Sequence, residues 1–137
     1  MSGNAIESKL AILRDNLARL ASIPQASFEV FAADFRNVDS ALHRLQTSIQ
    51  ALIDVGSYKV GRRGLPPPDS SRDILRTLEG DGALPAGTTD RFAPLFAFRN
   101  RVVHLYDRVD THRVYEILTG HRNDLAVLLD LLLAIPD

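Results

Sequence analysis

The 137-residue sequence contains no cysteine. Disulfides, thiolate metal sites and cysteine nucleophiles are therefore excluded, and the composition fits a reducing compartment. Positive charge is not in excess either, because 16 Lys and Arg face 17 Asp and Glu, for a formal net charge of −1. No overall field attracts nucleic acid or an anionic membrane, so any RNA binding would require a local basic cluster.

Long apolar segments are also missing. The longest run, residues 125–135, is interrupted by Asp130 and is too short to span a bilayer. The first residues, MSGNAIESKLAILRDN, have no long apolar run and include acidic side chains, so we expect neither a signal peptide nor a transit peptide. Together these features predict a cytoplasmic protein that does not contact a membrane.

Helical periodicity runs along nearly the whole sequence. Apolar residues recur at steps of three and four, and no segment alternates as a strand would. The pattern predicts a short helix ending near residue 78 and four main helices, at about residues 4–21, 33–60, 90–106 and 111–134. The expected N-caps, in chain order, are Asn4, Asp34, Asp69 or Ser70, and Thr89 or Asp90.

Proline and glycine mark the connections between these helices. Three consecutive prolines at 66–68 cannot be helical and predict an extended loop over residues 61–73. Gly120 is expected to weaken or bend the last helix. The length suits one domain, so we predict a single all-α domain over residues 1–137, an antiparallel bundle of four main helices plus one short helix.

The stretch RNRVVHLY, which begins at Arg99, places reactive side chains within an apolar helical pattern. Asn100 and His104 are four residues apart and share a helix face. Arg99 lies about 140° around the helix from His104, an offset that a long side chain can bridge. Asp107 extends this polar group at its C-terminal end. Tyr106 would approach the same group if the helix unwinds there.

Histidine and arginine together suit RNA cleavage without a metal ion. His104 can activate a 2′-hydroxyl or protonate the leaving oxygen, Arg99 can stabilise charge on the phosphorane, and Asn100 can orient either partner. One chain supplies one such histidine, so two copies across a two-fold axis would complete a base and an acid. On spacing alone, a solvated polar face or a satisfied hydrogen-bond cluster is the more common explanation.

The same stretch resembles the R-x4–6-H motif of HEPN-domain ribonucleases. In particular it is similar to the HepT-like toxins of HEPN–MNT toxin–antitoxin pairs, whose extended motif reads roughly FRN-x-x-VH-x-Y. Every motif position is matched here, from Phe98 to Tyr106. The resemblance covers most of the chain, through QALIDVGSYKV, the proline-containing loop and DILRTLEGDGAL.

The resemblance implies an all-helical HEPN fold and a homodimer whose active site lies in a cleft between the protomers. It implies endoribonuclease activity on RNA with no metal and no other cofactor, and it assigns the catalytic roles to Arg99, His104 and Asn100. It also implies a partner, a small MNT-type nucleotidyltransferase antitoxin. Such an antitoxin is expected to neutralise the toxin by transferring AMP from ATP to Tyr106.

Other charged residues are candidates for supporting roles. Asp54 falls within the apolar stripe of the second helix, and we expect it either to pair with Arg99 or to lie at the stripe's edge in water. Arg101 is a candidate either to extend the positive potential of the motif or to be an exposed salt-bridge residue, and Asp107 is a candidate to support the site. The basic residues near the proline loop are candidates for contacts with RNA phosphates or an acidic partner, or else for a solvated loop: Lys59, Arg62 and Arg63.

Two other functions stay open from the residues alone. A non-catalytic module that binds a nucleotide or a nucleotidyltransferase partner would use the same side chains, and the near-zero net charge favours it. A helical structural subunit would carry the motif only as a polar patch. The remaining histidines, His43, His112 and His121, lack the spacing of a metal site and are expected to be surface or structural residues.

Overall fold

The computed structural model describes residues 3–104 and 110–137, with side chains over residues 6–102 and 110–137. Within these ranges the chain is helical and contains no strand. No helix in this part of the chain is long and apolar enough to cross a membrane. In chain order the helices are α1 (Gly3–Ser22), α2 (Phe28–Ala32), α3 (Phe35–Arg62), α4 (Asp73–Gly80), α5 (Thr88–His104), α6 (Thr111–Gly120) and α7 (Arg122–Leu133).

The 28-residue α3 is the central element and contacts each of the other six described helices. Its first half buries one stripe, whereas most side chains from Ile49 to Val60 are buried on several sides of the helix. A helix that is apolar around most of its circumference is typical of an interior position. Gly56 allows α4 to approach closely, because a Cβ at this position would lie 2.7 Å from Ile74 Cγ2.

The start of α3 confirms the predicted cap at Asp34, whose side chain accepts a hydrogen bond from the backbone N–H of Arg36 at 2.9 Å. The short helix α2, which precedes it, is not predicted by the periodicity. Ser27 caps α2 by accepting from the backbone N–H of Val30 at 3.1 Å. Phe31, which is fully buried, fixes α2 to the core.

The N-terminus of α5 is capped from a neighbouring helix. The sequence predicts a cap at Thr89 or Asp90, but α5 begins at Thr88, so both residues lie inside it. Instead, the carboxylate of Glu79 accepts hydrogen bonds from the backbone N–H of Gly87 (3.0 Å) and from both the backbone N–H and the hydroxyl of Thr89 (2.7 Å each). These contacts, foremost the one from the Thr89 backbone, lower the pKa of the Glu79 carboxyl.

Two other predicted N-caps are misplaced. The α1 helix begins at Gly3, so Asn4 lies inside it. The α4 helix begins at Asp73, and the residue before it makes no side-chain cap hydrogen bond. Neither Asp69 nor Ser70 is therefore the cap, and the Ser70 hydroxyl donates to the Asp73 carboxylate at 3.1 Å instead.

The predicted last helix is divided into α6 and α7. The division falls at His121, directly after Gly120, the residue expected to weaken this helix. Asp110 caps α6 by accepting from the backbone N–H of His112 at 2.9 Å. The four main helices of the prediction thus correspond to α1, α3, α5 and the α6–α7 pair, with α4 as the short helix.

Candidate active site

The α5 helix places the first polar residues of the motif at the edge of the core. Arg99 and Asn100 are half-buried, and Arg101 is exposed. The apolar face of the same helix is buried in the bundle, and so fixes Arg99 and Asn100 at the boundary between core and solvent. The buried residues of this face are Phe92, Leu95, Phe96, Phe98 and Val102.

Arg99 reaches from α5 to the middle of α3. Its Nη2 donates a hydrogen bond of 2.6 Å to the side-chain oxygen Oε1 of Gln50. Its Nε is buried and has no hydrogen-bond partner among the described residues. Guanidinium has five N–H donors, and a buried unpaired donor is energetically costly. The contact with Gln50 uses Nη2 alone, so Gln50 leaves other N–H donors of the guanidinium unused.

Asp54 belongs to the same network, but Arg99 is not its partner. Its Oδ1 accepts from Gln50 Nε2 at 3.0 Å, and its Oδ2 pairs with Lys9 Nζ at 2.9 Å. The predicted Asp54–Arg99 pair is wrong, because the Gln50 carboxamide lies between the two side chains. A continuous series of contacts runs from Lys9 on α1 through Asp54 and Gln50 on α3 to Arg99 on α5, and we call it the polar chain.

His104 is the last residue of α5. Its backbone position is four residues after Asn100 on the same helix, so the two positions share a face. The side chain of His104 lies outside the described residues, and so do Tyr106 and Asp107. The catalytic, modification and supporting roles assigned to these three residues stay predictions.

A groove between α1 and α3 adjoins the polar chain. The groove is lined by Lys9, Ile12, Asn16, His43, Thr47, Gln50, Ala51 and Asp54.

Two residues of the polar chain, Gln50 and Lys9, were not predicted from the sequence. Gln50 lies four residues before Asp54, so helical spacing could have indicated that these two side chains share a face. No local pattern in the sequence indicates Lys9.

The basic residues near the proline loop include two with structural contacts. Lys59 is buried, and its Nζ donates to the backbone carbonyl of Ile135 at 2.7 Å and to the Asp137 carboxylate at 2.8 Å. The hydrogen bond from Lys59 lowers the pKa of the Asp137 carboxyl. Arg63 donates to Asp81 at 2.8 Å. Lys59 was expected to contact RNA or an acidic partner, or to lie in a solvated loop. It does neither in this structure, because its ammonium group binds the C-terminal residues to α3.

The other histidines have the surface or structural positions that were expected. His43 is exposed at the groove. His112 stacks on Phe28 with ring centroids 3.6 Å apart, and His121 Nδ1 lies 3.0 Å from Asp124 Oδ2. Among the side chains over residues 6–102 and 110–137, no group of three or more His, Asp or Glu is placed to hold a metal ion.

Comparison with solved structures defines the class of the fold. The tri-AMPylated HEPN toxin of Shewanella oneidensis, solved in complex with MNT antitoxin, matches with a TM-score of 0.83 and 25% identity, covering 98% of this chain and 99% of that one. A chain of the toxin–antitoxin complex MntA–HpeT with a tyrosine-to-alanine substitution matches with a TM-score of 0.82 and 25% identity, over 94% and 98% of the two chains. The predicted HEPN-type all-α bundle is thereby confirmed.

The family can be stated more narrowly. The sequence profile described as Ribonuclease HepT-like matches residues 13–132, and the chain belongs to this family. It is also similar to the mRNA nuclease HepT of Shewanella oneidensis, with 25% identity over 129 residues that cover 94% of this chain and 96% of the relative. The resemblance seen in the motif therefore extends over nearly the whole chain.

Proposed function

We propose that this protein is a metal-independent endoribonuclease toxin that cleaves RNA at a homodimer interface and is neutralised by an MNT-type nucleotidyltransferase antitoxin. The observation that carries the proposal is the Arg99 guanidinium. It is held by Gln50 at the edge of the core, with its Nε unpaired among the described residues. Membership of the HepT-like ribonuclease family and the similarity to an mRNA nuclease support it.

In the proposed reaction, the 2′-hydroxyl of a ribose attacks the adjacent phosphorus. The P–O2′ bond forms and the P–O5′ bond breaks, which leaves a 2′,3′-cyclic phosphate and a 5′-hydroxyl. One His104 accepts the proton of the 2′-hydroxyl, and a second His104 donates a proton to the departing 5′ oxygen. Arg99 stabilises the negative charge on the phosphorane oxygens, and Asn100 orients the histidine or a phosphate oxygen.

The homodimer is required because the reaction needs both a base and an acid. Each chain carries one motif histidine, and a two-fold axis brings the same surface of each copy to the other. The dimer would also bring together two Arg99 guanidiniums, which provide local positive charge on a chain of net charge −1. Arg101, which is exposed on α5, and Asp107 are proposed to support this site.

The antitoxin and its modification site form the second part of the proposal. The solved relatives are toxin–antitoxin complexes, and one of them contains a tri-AMPylated toxin. In this chain the proposed acceptor is Tyr106, whose phenolic oxygen would bond to the α-phosphorus of ATP as pyrophosphate leaves and the phenol proton passes to a base. The resulting AMP group would place negative charge and bulk beside His104, and would repel the phosphates of RNA.

The proposal is tested with purified protein free of AMP, incubated with RNA in excess chelator. We expect cleavage by the parent protein and none by His104→Ala, with unchanged circular dichroism and thermal stability. His112→Ala is the control, because it removes an exposed histidine of α6 and should leave cleavage intact.

Each other outcome of this experiment has a definite meaning. If His104→Ala cleaves RNA as the parent does, the assigned site is wrong. If the parent cleaves only when a divalent cation is added, the metal-independent reaction is wrong. If the unmodified parent never cleaves RNA, the chain is instead the non-catalytic binding module that its near-zero net charge favours.

A further inference from the structure

We propose that Gln50 is a positioning residue that holds the Arg99 guanidinium for phosphate binding, and that Asp54 and Lys9 fix the orientation of the Gln50 amide. The inference rests on the proposed RNA cleavage, since it assigns a role to the side chain directly behind Arg99. It extends the site from the motif on α5 to α3 and α1.

Hydrogen-bond chemistry allows only one orientation of the Gln50 amide. Arginine carries donors only, so Arg99 must face the amide oxygen, and an ionised carboxylate accepts only, so Asp54 must face the amide nitrogen. Both conditions are met, at 2.6 Å and 3.0 Å. Lys9 holds the second carboxylate oxygen of Asp54 at 2.9 Å, so the group that orients the amide is itself fixed.

A neutral acceptor holds Arg99 without neutralising its charge. A carboxylate in direct contact with the guanidinium would form a charge-assisted pair and compete with a phosphate for the same donors. Gln50 keeps the negative charge of Asp54 one residue away, where it is paired with Lys9. Among the described residues Arg99 is therefore held by a neutral acceptor and by no carboxylate, so that its position is fixed while its charge stays available to an anion.

The backbone that carries Gln50 lies in a packed part of α3. Its neighbours along α3, Ile49 and Ala51, are 0% and 3% exposed, so the backbone on both sides is packed in the core. A binding group that is held by a packed helix keeps its geometry better than one on a loop. The location of Gln50 in the middle of α3 therefore suits a positioning role.

The kinetic test separates two effects on Arg99: loss of the hydrogen bond that holds it, and addition of a negative charge beside it. Gln50→Glu keeps an acceptor for Arg99 but makes it a carboxylate, and it replaces the N–H donor to Asp54 with an oxygen. Because Arg99 is then paired with a negative charge, we expect KM for a short RNA to rise roughly tenfold, with a smaller change in kcat. Gln50→Leu removes the contact, so we expect kcat to fall by about ten- to a hundredfold. Gln46→Glu is the matched control, because it adds the same charge one turn earlier on α3 and should change either constant by less than about twofold.

Side-chain NMR of arginine tests the holding role without relying on cleavage. In the isotopically labelled full-length protein, we expect slow rotation about the Cζ–Nε bond of Arg99 in the parent, in Gln50→Glu and in Gln46→Glu, and faster rotation in Gln50→Leu. If Arg99 rotates equally fast in the parent and in Gln50→Leu, the positioning role is wrong, whether or not RNA is cleaved.

The two proposals can fail separately. Restricted Arg99 rotation in a parent protein that never cleaves RNA would contradict the proposed function and leave the holding role of Gln50 intact. RNA cleavage by Gln50→Glu with an unchanged KM would contradict the neutral-acceptor argument, and the proposed function would stand.

Discussion

The carboxylate of Glu79 accepts a hydrogen bond from the backbone N–H of Thr89, with 2.7 Å between Oε1 and N. This bond joins the end of α4 to the start of α5. Because α5 carries Arg99 and Asn100, this cap fixes the entry of the helix on which the proposed site is built. A carboxylate at a helix N-terminus satisfies free N–H groups and interacts favourably with the helix dipole.

This cap makes a pH-dependent prediction. The pKa of Glu79 in the folded state lies below its ordinary value of 4.5, so its contribution to stability is present above that value and is lost as pH falls through the folded pKa. Glu79→Gln is therefore expected to lower Tm at neutral pH, and the gap to the parent should shrink as pH falls below 4.5. Glu7→Gln, at an exposed position of α1, is the control and should show no such gap. A gap of constant size at every pH would contradict the ionic cap.

Close packing at Gly56 gives a second prediction. Gly56→Ala would place a Cβ 2.7 Å from the Cγ2 methyl of buried Ile74, so we expect a loss of about 1–3 kcal/mol in the free energy of unfolding. Gly61→Ala on the same helix meets no atom within 4 Å and should stabilise by about 0.5–1 kcal/mol.

A double variant identifies the cause of that loss. Ile74→Leu removes the Cγ2 methyl, so it should relieve part of the clash in the presence of Gly56→Ala. Denaturant unfolding of the parent, the two single variants and the double variant measures the coupling energy between positions 56 and 74. Strictly additive losses would show that the contact with Ile74 is not what makes glycine necessary.

Lys59 is predicted to stabilise the fold without taking part in RNA cleavage. Lys59→Met removes the donor to the Ile135 carbonyl, so we expect the free energy of unfolding to fall by about 1–3 kcal/mol. The rate of RNA cleavage at a temperature where the variant is folded should be unchanged. A stable variant with impaired cleavage would instead place Lys59 in contact with RNA.

Tyr106 is predicted to be the acceptor of AMP. The chain contains three tyrosines, so the assignment is a choice among few positions. After co-expression with the MNT-type nucleotidyltransferase and ATP, intact mass is expected to show added AMP units on the parent and on Tyr58→Phe, and none on Tyr106→Phe. The Tyr106→Phe protein should stay toxic in the presence of the antitoxin. Full modification of Tyr106→Phe would contradict the assignment.

The main helices could be predicted because each buries a long periodic stripe in the core. The five-residue α2 could not, since it is shorter than the window over which periodicity is visible. The division of the last helix was indicated only by Gly120, and the cap of α5 was misassigned because its acceptor, Glu79, comes from another helix. Caps supplied through tertiary contacts leave no local pattern in the sequence.

The motif of the candidate site could be predicted because its residues are contiguous on one helix. The role of Gln50 could not, because it lies 49 residues from Arg99 and meets it only through the packing of α3 against α5. Asp54 was expected either to pair with Arg99 or to lie at the stripe's edge in water. Its contacts with Gln50 and with Lys9 on α1 were not predicted, because the contact between α1 and α3 is visible only in three dimensions.

The chemistry of the product ends shows whether the phosphate is transferred to the 2′-oxygen without a metal ion. RNA cleaved by the parent protein in excess chelator should carry 2′,3′-cyclic phosphate and 5′-hydroxyl ends, and a 2′-deoxy substitution at the cleaved position should block the reaction. Ends with a 5′-phosphate and a 3′-hydroxyl, or cleavage that survives the 2′-deoxy substitution, would contradict the roles proposed for Arg99 and His104.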